Sequence, residues 1–185
     1  MCKISYHPLI KPYANNFSNI VAGILGWRLL KPEEFLKLLK MRGGNDRIAL
    51  ASEALKLKKK NLTFSFKKSV GPLVSGSIDH NILLSSQAQQ LLGHCWEILK
   101  QNKIVPNFSE PIFEFYRHIR NGCYHGNRFY FRDKEPKYPA IWRDLIIDKS
   151  LQDKRVFRLN LSEKEYFLNW GDSLLLLSDV SDKIT

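Results

Sequence analysis

Acidic residues are scarce: 18 Asp and Glu stand against 29 Lys and Arg in 185 residues, a formal charge of +11 and a pI near 9.6. Such a balance disfavours cationic partners and concentrates polyanions, so RNA, DNA and anionic membrane are the partners that charge favours. A basic surface also serves solubility alone. Cysteine is equally sparse. Cys2, Cys95 and Cys123 are too few and too scattered for a disulfide framework, and the odd count fits a reducing cytosol. Long hydrophobic runs are missing. The most apolar stretch, 20–27 (IVAGILGW), falls well short of the about 20 residues a spanning helix requires. MCKISYHPLIKPY has no uninterrupted apolar segment for a secretory signal. A soluble cytoplasmic protein that does not act in a membrane is the expectation.

Two kinds of site are absent as well. Gly43-Gly44 and the glycines at 71–76 lack the following Lys-Ser/Thr of a phosphate-cradling loop. His94-Cys95 and Cys123-Tyr124-His125 have poor metal spacing and there is no CxxC pair, so neither metal nor cofactor is expected. A Cys123/His125 nucleophile pair fails because residues two apart on a helix point in different directions. What remains is ordinary for a globular chain, with 44% hydrophobic and 25% charged residues and enough length for a core without staples.

The pattern along the chain is mainly helical. Apolar residues at Phe17, Ile20, Val21, Ile24, Leu25 and Leu29 give a helix over 16–30. Pro32 with Glu33 and Glu34 starts a second, running to about Arg42 before Gly43-Gly44. A third is expected from 45 or 46 to the lysines at 58–60. Leu62, Phe64 and Phe66 alternate with polar residues in strand fashion. Lysines at 56, 58–60, 67 and 68 surround these phenylalanines; single-stranded RNA could be gripped there, though a solvated helix end beside an edge strand reads the same way. The chain divides near here, into an N-terminal helical subregion over 1–75 and a bundle over 76–185, together one compact domain.

Asp79 opens a long helix with Ile82, Leu84, Leu91, Leu92, Cys95, Trp96 and Leu99 on one stripe, ending near Asn102. Ser109 is placed to cap the next, with Pro111 in its first turn, through Phe113, Phe115, Tyr116 and Ile119 to Tyr124. A hairpin is expected between 140–148 and 155–159, across DKSLQD. Ser162-Glu163-Lys164-Glu165 reads as a capping box starting a last helix to about Val180. The expected fold is therefore a mainly α bundle with a short β-hairpin insertion before the last helix.

Reactive side chains gather at one helix end, in FEFYRHIRNGCYHGNRF. Arg117, Asn121 and His125 recur every fourth residue and share a face, and His118 lies near that stripe. Such a line of polar groups meets water or lines a site. Its bland counterpart is a solvated helix end, where a histidine suits the negative end of the dipole. Arg120 and His125 are five residues apart and so point roughly 140° apart in a regular helix. Either the helix loosens at Gly122, or the arginine reaches round, or a second subunit supplies the partner group.

Arg120-Asn121-x-x-x-His125 resembles the HEPN ribonuclease signature, in which arginine and a polar residue precede a histidine by a short gap. The extended stretch from RNGCYHGN to WGDSLLLLSD is similar to plasmid- and phage-associated HEPN toxins, over about the last 110 residues. The resemblance implies a HEPN-like bundle and a metal-independent endoribonuclease. In that chemistry the RNA 2′-hydroxyl attacks its own phosphate and leaves a 2′,3′-cyclic phosphate. His125 would move a proton, Arg120 would hold a non-bridging oxygen and Asn121 would orient them. Arg117, His118, Tyr124, Asn127 and Arg128 are secondary RNA-binding candidates. The resemblance also implies a homodimer with a composite cleft, a toxin or antiviral defence role, and an antitoxin or other regulator. One departure stands out: Asn127 occupies the place of a tyrosine that is modified when some HEPN toxins are silenced by nucleotide transfer, so that route is not implied here. Two further readings stay open: a catalytically silent HEPN-like module binding RNA or protein, and a DNA-binding regulator, for which no recognition helix with its tight turn is visible.

Overall fold

The computed structural model describes residues 4–29, 34, 37, 47–50, 62–65, 79–104, 110–132, 134–159 and 165–184. It is mainly helical, with two small antiparallel strand pairs. The chain forms two compact units, one made of residues 1–19 and 81–185, the other of residues 20–80. No helix among the described residues is long and apolar enough to cross a membrane.

Helix α1 (Lys11–Leu29) covers the expected span and begins five residues earlier; Phe17 and Ile24 of the expected face are buried, whereas Leu25 is exposed. Glu34 and Lys37 are helical, while the rest of 32–42 lies outside the described residues. The expected helix over 45–60 is overturned where it is described. Residues Arg47–Leu50 form β1, paired antiparallel with β2 (Leu62–Ser65) from Arg47↔Ser65 to Leu50↔Leu62. Ile48 faces Phe64 and Ala49 faces Thr63. Backbone ladder pairing with a distant segment overrides the helix preference of Ala and Leu. The lysine cluster around these strands lies outside the described residues.

The larger unit is built on α2 (His80–Gln101) and α3 (Pro111–Tyr124). Leu84, Leu92, Cys95 and Leu99 are buried as their stripe requires, but Ile82, expected on the same stripe, is exposed. Lys103 takes a left-handed φ of 58°, and the Ile104 amide donates back to the Leu99 carbonyl, a Schellman ending built on lysine instead of glycine. Pro111 opens α3 as expected, but the N-cap is Glu110, with extended backbone and no side-chain cap bond; Ser109 lies outside the described residues. Phe113, Phe115, Tyr116 and Ile119 form the buried face of α3. The Tyr116 hydroxyl donates to the Leu92 carbonyl at 2.7 Å and its ring meets Trp96 edge-on at 5.1 Å, which fixes α3 against α2.

The hairpin differs from its expectation. Strands β3 (Ala140–Trp142) and β4 (Leu145–Ile147) pair with each other, Ala140↔Ile147 and Trp142↔Leu145. Arg143, at φ 52°, supplies the positive φ that a two-residue turn needs, so the strands close inside 140–147. The Trp142 indole and the Arg143 guanidinium both reach Asp179, at 2.7 and 2.9 Å. Residues 155–158 instead bridge to Arg128 and to Leu168.

That bridging also displaces the start of the last helix. Phe167 and Leu168 give their amides to the carbonyls of Arg155 and Val156, so residues 165–170 are not helical. Helix α4 (Asp172–Ser181) begins after Gly171, and the Asp172 carboxylate reaches back to the Asn169 amide at 2.8 Å, the role expected of the Ser162–Glu165 box. Ser162, Glu163 and Lys164 lie outside the described residues. Leu176, Leu177 and Val180 join the core.

Candidate active site

Helix α3 presents its charged residues in two groups. The first centres on Glu114, almost fully buried despite its charge. Arg117 grips it with two bonds of 2.8 Å and also reaches Glu135 at 2.9 Å. The His118 ring, 1% exposed, lies 3.2 Å from the same carboxylate, under the ring of Phe131. The Lys137 amide adds a bond to Glu114 at 3.3 Å. Burial works to raise the Glu114 carboxyl, but the hydrogen bond and charge of Arg117, with His118 and the Lys137 amide, bring it below the usual range. Burial, then the charge of Arg117, pushes His118 below its ordinary value of 6.5, against the pull of Glu114 and Glu135.

The second group ends the helix. Arg120 pairs with Glu97 of α2, donates to Asn121 Oδ1 at 3.3 Å, and lies over the ring of Tyr124 at 4.5 Å. Its Nε–H, buried at that atom, has no hydrogen-bond partner. The His125 backbone amide bonds to the carbonyls of Asn121 and Gly122 at 3.0 and 3.2 Å, and at φ −98°, ψ 42° the chain leaves the helix there. The imidazole is exposed and packs on Tyr130 at 4.9 Å between centroids. Gly122 makes this ending possible: a Cβ there would meet Val156 Cγ2 at 2.5 Å and the Arg128 carbonyl at 3.2 Å.

Arg120, Asn121, Tyr124 and His125 therefore gather at one helix end. Four of the secondary candidates do not join them. His118 is sealed in the Glu114 network, because the segment carrying Phe131 and Glu135 folds back over that face. Asn127 is buried at φ 64°; its side chain donates to the Phe157 carbonyl at 2.7 Å and accepts from the Phe157 amide at 2.8 Å, replacing a strand partner. Arg117 is held by two carboxylates. Arg128 is exposed, bonds the Asp153 carbonyl at 2.5 Å, and lines a cleft of about 570 Å³ with Lys154, Arg155 and Tyr166.

Several residues of this region escape a reading of the sequence. Glu97 pairs with Arg120 from another helix, and Tyr130 meets His125 from a loop; neither has a local signal. Glu114 has one, an acid inside the apolar run three and four residues before Arg117 and His118. Beside Arg120, a second cleft of about 580 Å³ opens between α2 and α3, bordered by Glu97, Cys123 and Tyr124. Burial pushes the Cys123 thiol up to about 12, so it is no thiolate nucleophile. Among the described residues no group of three or more His, Cys, Asp or Glu is arranged to hold a metal ion. No family model matches the chain, and no curated protein or solved structure matches it either.

Proposed function

We propose that this protein is a HEPN-type endoribonuclease that cuts RNA without a metal through Arg120, Asn121 and His125. The reading is carried by one observation: an exposed imidazole at the C-cap of α3 comes five residues after an arginine that packs on Tyr124, itself at the edge of an open cleft. An imidazole takes a proton from the 2′-hydroxyl or gives one to the departing 5′-oxygen. A guanidinium fork stabilises the charge that grows on the phosphate. Glu97 and Tyr124 fix the guanidinium, and Asn121 accepts one of its N–H groups. The formal charge of +11 draws the polyanion in.

Two protons move in this reaction, and His125 is the one exposed histidine of the cluster. A symmetric dimer pairing two α3 ends supplies the second imidazole and a second Arg120. On this reading the protein works in the cytoplasm as a toxin or defence effector, held by an antitoxin or regulator, roles that rest on family analogy. A silent RNA- or protein-binding module is the second reading, favoured by the Arg120–Glu97 ion pair, which already neutralises the guanidinium.

The test is cleavage of end-labelled RNA in excess chelator. The expected product carries a 2′,3′-cyclic phosphate, and His125→Ala reduces the rate at least about hundredfold. Undiminished cutting by His125→Ala removes that residue from the chemistry; no cutting of a broad RNA panel favours the silent module. If the site is composite, mixing Arg120→Ala with His125→Ala protein restores part of the activity, since some mixed dimers hold one intact site.

A further inference from the structure

Apart from Glu97, the polar face of α2 has no role in the chemistry above. Ser86, Gln89, Gln90, His94 and Glu97 recur at helical spacing and form one wall of the cleft of about 580 Å³, with Tyr124 at its mouth. The lining mixes carbon surface with groups that both donate and accept: two primary amides, a hydroxyl and an imidazole. Such a set suits a flat heterocycle with hydrogen-bonding edges better than a lipid or an apolar peptide side chain. Tyr13 packs edge-on against His94 at 4.7 Å and steadies that ring.

Tyr124 is the other half of the arrangement. Its ring stays 61% exposed although Arg120 lies over it at 4.5 Å. It reaches this position because residue 93 is glycine: a Cβ there would lie 2.6 Å from the Tyr124 hydroxyl oxygen and 2.9 Å from Cζ. Glycine inside a helix costs about 1 kcal/mol relative to alanine. Here it leaves the space in which the tyrosine lies against α2. The same guanidinium thus touches both the aromatic platform and, through Glu97, the polar wall.

We propose that this cleft is a nucleobase pocket, in which Tyr124 stacks one unpaired base of single-stranded RNA while Gln89, Gln90 and His94 read its edge. Unstacked bases are recognised in this way, by an aromatic face and hydrogen bonds to the edge. The pocket gives the nuclease a base preference beside the phosphate that Arg120 holds, and it takes its substrate class from the ribonuclease reading.

Binding is measured in the His125→Ala protein, so that cutting does not interfere, using fluorescent oligoribonucleotides of A, C, G or U alone. One homopolymer is expected to bind at least about tenfold tighter than the weakest, and Tyr124→Ala to weaken it about tenfold. Tyr124→Phe keeps the affinity, and Gln89→Ala with Gln90→Ala levels the preference. Gly93→Ala, which raises helix propensity and so does not threaten folding, is expected to reproduce the Tyr124→Ala loss by displacing the ring. Equal affinity for all homopolymers, or a preference untouched by the Gln and Gly93 variants, overturns the pocket. Selective binding with no cutting by the unsubstituted protein upholds the pocket and sinks the nuclease; cutting with no preference does the reverse.

Discussion

Helix α3 carries two histidines seven residues apart, and the two are treated in opposite ways. His118 is sealed beneath Phe131, within 3.2 Å of a buried carboxylate and beside a doubly paired arginine. His125 stands in solvent at the C-cap, touching the ring of Tyr130. Arg117, at 2.9 Å from His118, is tied to Glu114 and Glu135; Arg120, five residues before His125, is tied to Glu97 and keeps one buried Nε–H without a partner. The first cluster welds the segment around Glu135 to the helix; in the second, Arg120 is tied to Glu97, Asn121 and Tyr124 while the His125 imidazole stays exposed. Residue type alone does not make a site. What matters is which polar groups the fold has already satisfied.

The largest expected effect falls on the sealed cluster. Glu114→Ala leaves Arg117 and His118 without their shared carboxylate and is expected to cost about 3–5 kcal/mol, read as a large drop in the denaturant midpoint. His125→Ala should leave stability within about 0.5 kcal/mol while removing cleavage, the opposite profile. A destabilised His125→Ala, or a fully stable Glu114→Ala, breaks the comparison.

Asn127 sharpens it. Two residues past His125, it belongs with the structural groups, and Asn127→Ala should cost about 2 kcal/mol through the lost Phe157 bonds and the strained φ of 64°. If Asn127→Ala instead weakens RNA binding with the stability intact, its place in the core is wrong.

Acid gives the smallest effect. The unfolded chain takes up a proton on His118 below its ordinary 6.5, while the folded chain resists until lower pH; stability therefore falls as pH drops below that value. Glu114 and Glu135, both lowered in the fold, lose their contribution at still lower pH, as the carboxylates protonate. A melting temperature that falls between about pH 7 and about pH 5 in the native protein, and falls less in His118→Gln, is the expected record.

The helix period made much of this legible. The stripes of α2 and α3 were readable to within a residue or two, and Cys95 lies buried where its stripe places it. The same period misled on the site. It puts His118 and His125 on one stripe, about 20° short of two full turns apart, but His125 leaves the helix at ψ 42° and the Phe131 segment covers His118. A helical wheel contains neither event. The strand at 47–50, the early closure of the hairpin at Arg143 and the late start of α4 have a common cause: backbone pairing with distant segments outweighs local propensity. Arg120, Asn121 and His125 were legible as a cluster; Glu97, Tyr130 and the glutamine wall were not, because they approach from other elements.

The division of labour between the two histidines can be tested in one experiment: RNA turnover by His118→Gln and His125→Ala, side by side in chelator, with calorimetry on the same samples. His118→Gln should melt lower and still generate cyclic-phosphate ends, while His125→Ala melts like the native protein and generates almost none. Cleavage that follows His118 and ignores His125 would contradict the account.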